Sequence, residues 1–329
     1  MNEIIALSEV MRAAVNLAER VATTDANVLI TGESGAGKDA LALFIHSRSL
    51  RAGQPFVKID CATLPADLLE AELFGYERGA FTGATEAKPG RLESAHRGTL
   101  VLDEIAHLSL DAQAKLLRVI ENREFERLGG QKTIEVDARL IALTNADLKN
   151  AVERRAFRDD LFYRLNVVQI IAPPLRERKE DFEALSDGFV RSYADKHGRA
   201  AKRLSNDARR LLLAYDFPGN VRELANIIER AVIVSNSKEI EATDLPEGVR
   251  IAAAQQERKG CRLTLAEVEA EYINATLAAT KGNKTEAARI LGISRKNLYE
   301  RLARDKAEVS GQRSEVSELS AEPNVSGDD

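Results

Sequence analysis

The chain has 329 residues, 44% of them hydrophobic and 30% charged, which suits a globular protein of two or three domains with real cores. Its formal net charge of -5 excludes a uniformly basic nucleic-acid binder but leaves room for a local basic patch. Cys61 and Cys261 lie far apart with no metal-ligand neighbours in sequence, so neither a disulfide framework nor a zinc site is expected. The N-terminus lacks a cationic region followed by an apolar core, and there is no run of about 18 apolar residues. These features predict a cytoplasmic protein with no membrane insertion.

The first helix is predicted over Ile4 to Ala22. Asn27 to Thr31 then reads as a buried strand, followed by Gly32-Glu33-Ser34-Gly35-Ala36-Gly37-Lys38-Asp39 and a helical run from Ala40 to His46. Strand, glycine loop and helix in this order make a phosphate cradle. Backbone N–H groups curl around the β-phosphate, the helix N-terminus adds its dipole, and Lys38 reaches the β/γ-phosphates. Asp39 departs from the Ser or Thr that usually touches Mg²⁺, so metal binding must rest on another residue. Further on, Gly79-Ala80-Phe81-Thr82-Gly83-Ala84 offers an apolar ring between two glycines that can take positive φ. With Glu77 and Arg78 upstream it reads as the tip of a projecting loop; the alternative is a core Phe in a buried turn.

Gly98 to Ile105 is an apolar strand ending in Asp103 and Glu104. Asp103 would hold Mg²⁺ and Glu104 would polarise the attacking water, unless the strand merely ends in a charged turn. A third strand, Arg139 to Leu143, runs into Thr144 and Asn145, where a polar side chain could report the γ-phosphate. In Phe157 to Leu165, Arg158 and Arg164 flank Asp159 and Asp160 and, taken alone, read as ordinary salt-bridge partners.

The tandem Pro173-Pro174 marks a break, and helical periodicity follows over Glu180 to His197, Ser205 to Tyr215 and Asn220 to Ser235, with Ser205 and Asn220 placed as N-caps. Ala252 to Arg262 reads as a polar, alanine-rich mobile linker. Leu265 to Thr280 is an amphipathic helix. Gly282 to Thr285 turns into a short helix, Glu286 to Leu291, and Gly292-Ile293-Ser294 leads into a last helix, Arg295 to Lys306. Small alanines, a turn glycine and an apolar residue after it fit a helix-turn-helix. From Ser294 to Lys306, Arg295, Lys296, Arg301, Arg304 and Lys306 outweigh Glu300 and Asp305. Thr285, Ser294, Arg295, Lys296, Asn297, Tyr299 and Arg301 are the candidate DNA contacts, the alternative being a basic solvated face. Ala307 to Asp329, rich in Ser, Glu and Asp, is expected to be disordered.

From about Leu7 to Lys306 the chain resembles the AAA+ activators of sigma-54 RNA polymerase, the bacterial enhancer-binding proteins. Gly79 to Ala84 is that family's GAFTGA signature, and the resemblance implies that Gly79, Ala80, Phe81, Thr82, Gly83 and Ala84 form the sigma-54 contact, Phe81 and Thr82 foremost. Phe157 to Leu165 is similar to the family's arginine-finger segment, implying that Arg158 and Arg164 reach the ATP of a neighbouring subunit in a homo-oligomer, expected to be a hexamer. Pro218 to Leu224 is similar to the sensor 2 motif, which sets Arg222 toward the phosphates, and Asn145 corresponds to sensor 1. Asp60 stands where relatives often have an Asn that holds the catalytic Glu. An ionised Asp cannot donate that bond and would repel Glu104, so either it is protonated or the switch works differently.

The resemblance implies an α/β fold, an AAA+ P-loop ATPase with a parallel sheet sandwiched by helices over 1–172. A helical lid over 173–248, a linker over 249–262, an all-α Fis-type helix-turn-helix over 263–306 and a tail over 307–329 complete it. It also implies an ATPase using ATP and Mg²⁺ that binds enhancer-like double-stranded DNA and remodels the sigma-54 RNA polymerase holoenzyme from closed to open complex, associated with the nucleoid. Because the chain starts directly at the ATPase, control is expected from a regulatory protein in trans, from expression level or from a separate subunit. The rival is a regulator of sigma-70 promoters that keeps the fold for sensing; the intact loop and carboxylates oppose it.

Overall fold

The computed structural model describes residues 4–200, 202–260, 269, 272–273, 276–277, 280 and 282–302. The chain divides into two compact units, Met1–Ala254 and Gln255–Asp329.

Five strands build the central sheet of the first unit: β1 (Val28–Thr31), β2 (Phe56–Asp60), β3 (Thr99–Asp103), β4 (Arg139–Thr144) and β5 (Val168–Ile171). They pair in parallel in the order β2-β3-β4-β1-β5. Alternate side chains point to opposite faces, so each strand feeds two cores. Leu29, Leu100, Leu102, Leu140 and Ala142 join one apolar cluster. Val28, Ile30, Val101, Ile141 and Leu143 join the other. Helices cover both faces, as a sheet with near-continuous apolar strands requires. The register places Asp60 opposite Asp103 and Thr31 opposite Thr144. The C-terminal ends of β1 to β4 therefore meet at one edge, where open α/β sheets bind ligands.

Elements differ from the sequence expectation where a side chain decides the boundary. The first helix runs over Glu9–Ala22, not from Ile4, because the Ser8 hydroxyl caps it by accepting from Met11 N. The helix after the glycine loop begins at Lys38 and ends at Ser47. Beyond Pro173-Pro174 come the helices Phe182–Lys196, Asn206–Ala214 and Asn220–Val234, close to the predicted spans. Their apolar faces share a separate core that includes Phe182, Leu212, Leu224 and Ile228. Ser205 is an N-cap as expected. Asn220 is not: Gly219 holds that position, and the Asn220 side chain crosses to the glycine loop instead. The expected linker is helical as far as Gly260, within Glu247–Gly260, and buries Val249 and Ala253. Its alanines favour helix over coil.

In the second unit, Ile273, Ala287, Ala288 and Leu298 form a small core. The helix Lys284–Ile290 begins two residues before the predicted start, because Asn283 caps it by accepting from Thr285 N and Glu286 N. Gly292 turns at φ +66°, and residues 295–302 are helical. Most of the predicted helix from Leu265 to Thr280, Cys261 and the tail from Ala307 lie outside the described residues.

Candidate functional site

The glycine loop leaves the end of β1 and closes on itself through its own lysine. Lys38 is buried, and its ammonium donates to Gly32 O (2.8 Å) and Glu33 O (3.3 Å). At the end of β3, Glu104 takes a left-handed conformation (φ +50°), uncommon for a residue with a side chain. One of its carboxylate oxygens lies 3.8 Å from the Lys38 ammonium, and the other accepts from Asn145 N (3.1 Å). Lys38, Glu104 and the end of β4 thus converge around one cleft. Asp60 lies on the neighbouring strand, where its carboxylate accepts from Ala62 N (2.9 Å).

Asp103 and Asp39 share a cation supplied by the protein. The Lys58 ammonium donates to Asp103 Oδ2 (2.7 Å) and to Asp39 Oδ1. Burial alone disfavours the charged lysine, but the two carboxylate hydrogen bonds outweigh it and hold the pKa above the usual lysine value. Hard oxygen donors gathered on one cation suit Mg²⁺, which binds through one or two carboxylates and completes its shell with waters and phosphates. Among the described residues no group of three or more His, Cys, Asp or Glu forms a metal cage. The donor set therefore fits a metal that arrives with a nucleotide. Lys58 carries no motif signal; its role is visible only because β2 and β3 are register partners.

The helices after Pro174 reach into the same cleft. Arg222 donates to the Ser34 hydroxyl (2.9 Å), and Val221 N donates to Gly35 O (3.1 Å). Gly35 has no room for a side chain, since a Cβ would lie 2.3 Å from Gly219 O. Glu33 does not face the cleft as a lone phosphate ligand. Its carboxylate takes a two-pronged bond from Arg176 (2.6 and 2.8 Å) and a third from Asn220 Nδ2 (3.0 Å). Arg176 and then Asn220 hold the Glu33 pKa down at about 2. Asn220 is fully buried at φ +53°; it also donates to Ser34 O (3.0 Å) and accepts from Leu175 N (2.8 Å). Buried Arg178 donates to Ala36 O (2.5 Å). The chemistry of these three residues, Arg176, Arg178 and Asn220, was hidden in sequence because their partners in the glycine loop lie well over 100 positions away.

Arg158 forms a two-pronged pair with Asp160 (3.0 and 2.7 Å), and Arg164 donates to Glu121 (3.1 Å). Within one chain the salt-bridge reading of Arg158 holds, with Asp160 the partner. Neither arginine lines this chain's own cleft.

Gly79 to Ala84 is a closed turn on the surface. Gly79 N donates to Ala84 O (2.9 Å) and Ala84 N to Phe81 O (3.0 Å), with Gly79 and Gly83 at φ +83° and +106°. Phe81 remains 41% exposed, its ring edge-on to Tyr76 at 5.0 Å. Thr82 is exposed and Ala84 buried. The core-Phe reading is thus excluded. Two short antiparallel pairs, Gly75–Tyr76 with Lys88–Pro89 and Glu124–Glu126 with Thr133–Glu135, brace the base. Arg127 ties them by donating to Glu93 (2.9 and 2.7 Å) and Glu77 (3.1 Å).

Residues 4–171, about half of the chain, match the family described as the Sigma-54 interaction domain. The chain belongs to the sigma-54-dependent activators. Residues 176–261 match the AAA+ ATPase lid domain, and residues 264–304 match the bacterial regulatory proteins of the Fis family. Among relatives, the transcriptional regulatory protein FlbD of Caulobacter vibrioides is 46% identical over 89% of this chain and 68% of its own length. The regulatory protein AtoC of Escherichia coli is 45% identical over 86% of this chain and 63% of its own. This chain thus spans about two thirds of these activators. In structure it is similar to NtrX from Brucella abortus in complex with ATP (TM-score 0.72, 35% identity), covering 92% of this chain and 69% of that one. The AAA+ P-loop architecture, the lid and the C-terminal helix-turn-helix expected from sequence are all present in this activator.

In the Fis-type unit, Thr285, Ser294, Arg295, Lys296, Asn297, Tyr299 and Arg301 are all exposed. The Ser294 hydroxyl accepts from Asn297 N (3.2 Å) and starts the last helix. Arg301 is paired with Glu269 and Lys296 lies 4.0 Å from Glu300, so both carry intramolecular partners. The Lys284 ammonium sits 4.7 Å above the Tyr299 ring.

Proposed function

We propose that this chain is an ATP-hydrolysing transcriptional activator that binds enhancer-like DNA and remodels the sigma-54 RNA polymerase closed complex into the open complex. The single observation that carries the reading is the closed Gly79–Ala84 turn, which presents Phe81 and Thr82 outward from the same unit that holds the phosphate cradle and the Asp103–Glu104 pair. A nucleotide-binding protein without a partner to move has no use for such a turn.

In this reading Lys38 exchanges its contacts with Gly32 O and Glu33 O for the β- and γ-phosphates, while Gly32, Ser34, Gly35, Ala36 and Gly37 present backbone to them. Asp103 would supply the carboxylate oxygen for Mg²⁺, which when bound would neutralise developing charge on the phosphates. Glu104 orients the attacking water, and its bond to Asn145 N ties that carboxylate to the γ-phosphate sensor. Arg222 reaches the phosphates from the lid. Arg158 and Arg164, released from Asp160 and Glu121, act on the ATP of the next subunit in a ring, where such a guanidinium contributes about 10³ to 10⁵ in rate. NtrX, with which the chain shares its architecture, was solved with ATP and with ADP. The last helix enters the major groove with Ser294, Arg295, Lys296 and Asn297 leading, and Thr285, Tyr299 and Arg301 flanking. The protein works in the cytoplasm, on the nucleoid.

The test is Thr82→Ala in a purified system with sigma-54 holoenzyme and a supercoiled promoter. ATP turnover should remain near wild type while open complexes, read by permanganate reactivity, disappear. Parallel loss of both activities would make the loop a structural element and defeat the reading.

A further inference from the structure

The Lys58 ammonium stands between Asp39 and Asp103, touching both. Asp103 is mostly shielded, at 15% side-chain exposure, whereas Lys58 and Asp39 stay open to solvent at 37% and 51%. Two carboxylates this close would repel one another without a cation between them. The protein provides one, and it occupies Asp103, the carboxylate that would hold a divalent ion arriving with nucleotide. Asp39 is also peculiar as a neighbour of phosphates, since its charge opposes theirs. Its bond to Lys58 ties it to β2.

We propose that Lys58 is a built-in counter-ion that occupies the divalent-cation position in the nucleotide-free protein, so that metal enters only together with nucleotide. The metal–nucleotide complex takes over Asp103, and Lys58 keeps Asp39, holding that carboxylate off the β-phosphate. Lys58 is thus a positioning residue that acts through Asp103 and Asp39 and has no contact with the reacting atoms. The inference rests on the reading of the cleft as a Mg–ATP site.

The experiment measures Mn²⁺ binding by the electron paramagnetic resonance of free Mn²⁺, with the full chain, in the absence and presence of a non-hydrolysable ATP analogue. Fluorescent ATP binding is measured separately. Wild type should bind Mn²⁺ weakly without nucleotide and tightly with it. Removing the ammonium in Lys58→Met, or in the hydrogen-bonding Lys58→Gln, should tighten nucleotide-free Mn²⁺ binding by about tenfold or more, because a unit charge a few ångströms away no longer opposes the ion. Lys58→Arg should stay like wild type, and adding Asp103→Asn to Lys58→Met should abolish the gain. Lys58 is exposed and the variants should fold; the second neutral variant covers a failure of the first. Equal nucleotide-free Mn²⁺ affinity in wild type and the neutral variants overturns the proposal, whether both bind or neither does. Failure to bind fluorescent ATP at all would instead defeat the reading of the cleft itself.

Discussion

Asn220 joins the lid to the glycine loop, and replacing it with Ala tests how much that joint contributes. Three bonds are lost: from Nδ2 to Glu33 and to Ser34 O, and from Leu175 N to Oδ1. Leu175 is buried, so its N–H is stranded without water at a cost of about 1–3 kcal/mol. Glu33 keeps Arg176 and is 43% exposed, so the bond to it is screened and contributes no more than about 1 kcal/mol. Alanine must also hold φ +53° without the polar side chain that lets Asn tolerate this left-handed conformation, which adds up to about 1 kcal/mol. Together these give about 1–5 kcal/mol. Asn220→Gly removes the same bonds but not the backbone cost, so it should recover about 1 kcal/mol of the loss. Urea denaturation followed by circular dichroism reads the shift of the first transition, and fluorescent ATP titration reads the cleft. A loss below about 1 kcal/mol for the Ala variant would refute the joint. Equal losses for Ala and Gly would refute the backbone part of the argument.

Glu104→Gln should lower ATP turnover by about 10² to 10⁴-fold, the usual range for removing a positioned base, while fluorescent ATP still binds. A turnover near wild type would move the water-orienting role to another group. His46 supplies a pH test. It is buried, its Nδ1 lies 2.9 Å from the Thr99 hydroxyl, and desolvation followed by the Arg139 charge lowers its pKa below the ordinary 6.5. As pH falls, the unfolded chain therefore binds this proton first. The stabilising effect of the neutral ring is fully present above about pH 6.5 and declines below it. The melting temperature should fall from pH 7.5 to 5.5 more in wild type than in His46→Gln; parallel curves would show that the ring titrates alike in both states.

What could be read in the sequence was local. The strand, glycine loop and helix around Lys38 are contiguous, and so are the carboxylates ending β3 and the six residues of the loop, so their chemistry follows from order alone. Boundaries failed where a single side chain sets them, as with Ser8 closing the first helix and Asn283 opening Lys284–Ile290. Roles were incomplete where the partner is remote in sequence. Glu33 was read only as part of the phosphate cradle, and its carboxylate also anchors the lid, because Arg176 and Asn220 come from beyond Pro174. Asn220 looked like a helix cap for the ordinary reason that Asn often is one. Arg158 shows the opposite case. Its near neighbour Asp160 does pair with it in the single chain, and a finger role requires that pair to open when a second subunit arrives.

Lys58 and Asp60 both follow from the geometry of one strand. Two residues apart on β2, they lie on the same face, and the register sets Asp60 against Asp103. A surface groove of about 530 Å³ is lined by Lys58 and Asp60 together with Tyr76 and Phe81. The ammonium that touches Asp103 and the ring at the tip of the loop thus border the same space. Under the proposed activator function, release of Lys58 from Asp103 would change the charge lining that groove. β2, the helix Ala66–Phe74 and the Gly75–Tyr76 strand come in turn along the chain and so connect the sheet end to the base of the loop. Asp60 belongs to this groove as well as to the sheet end. An Asp whose carboxylate is capped by Ala62 N can hold the end of β2 in place without donating to Glu104, which already has Asn145 N and Lys38 as partners.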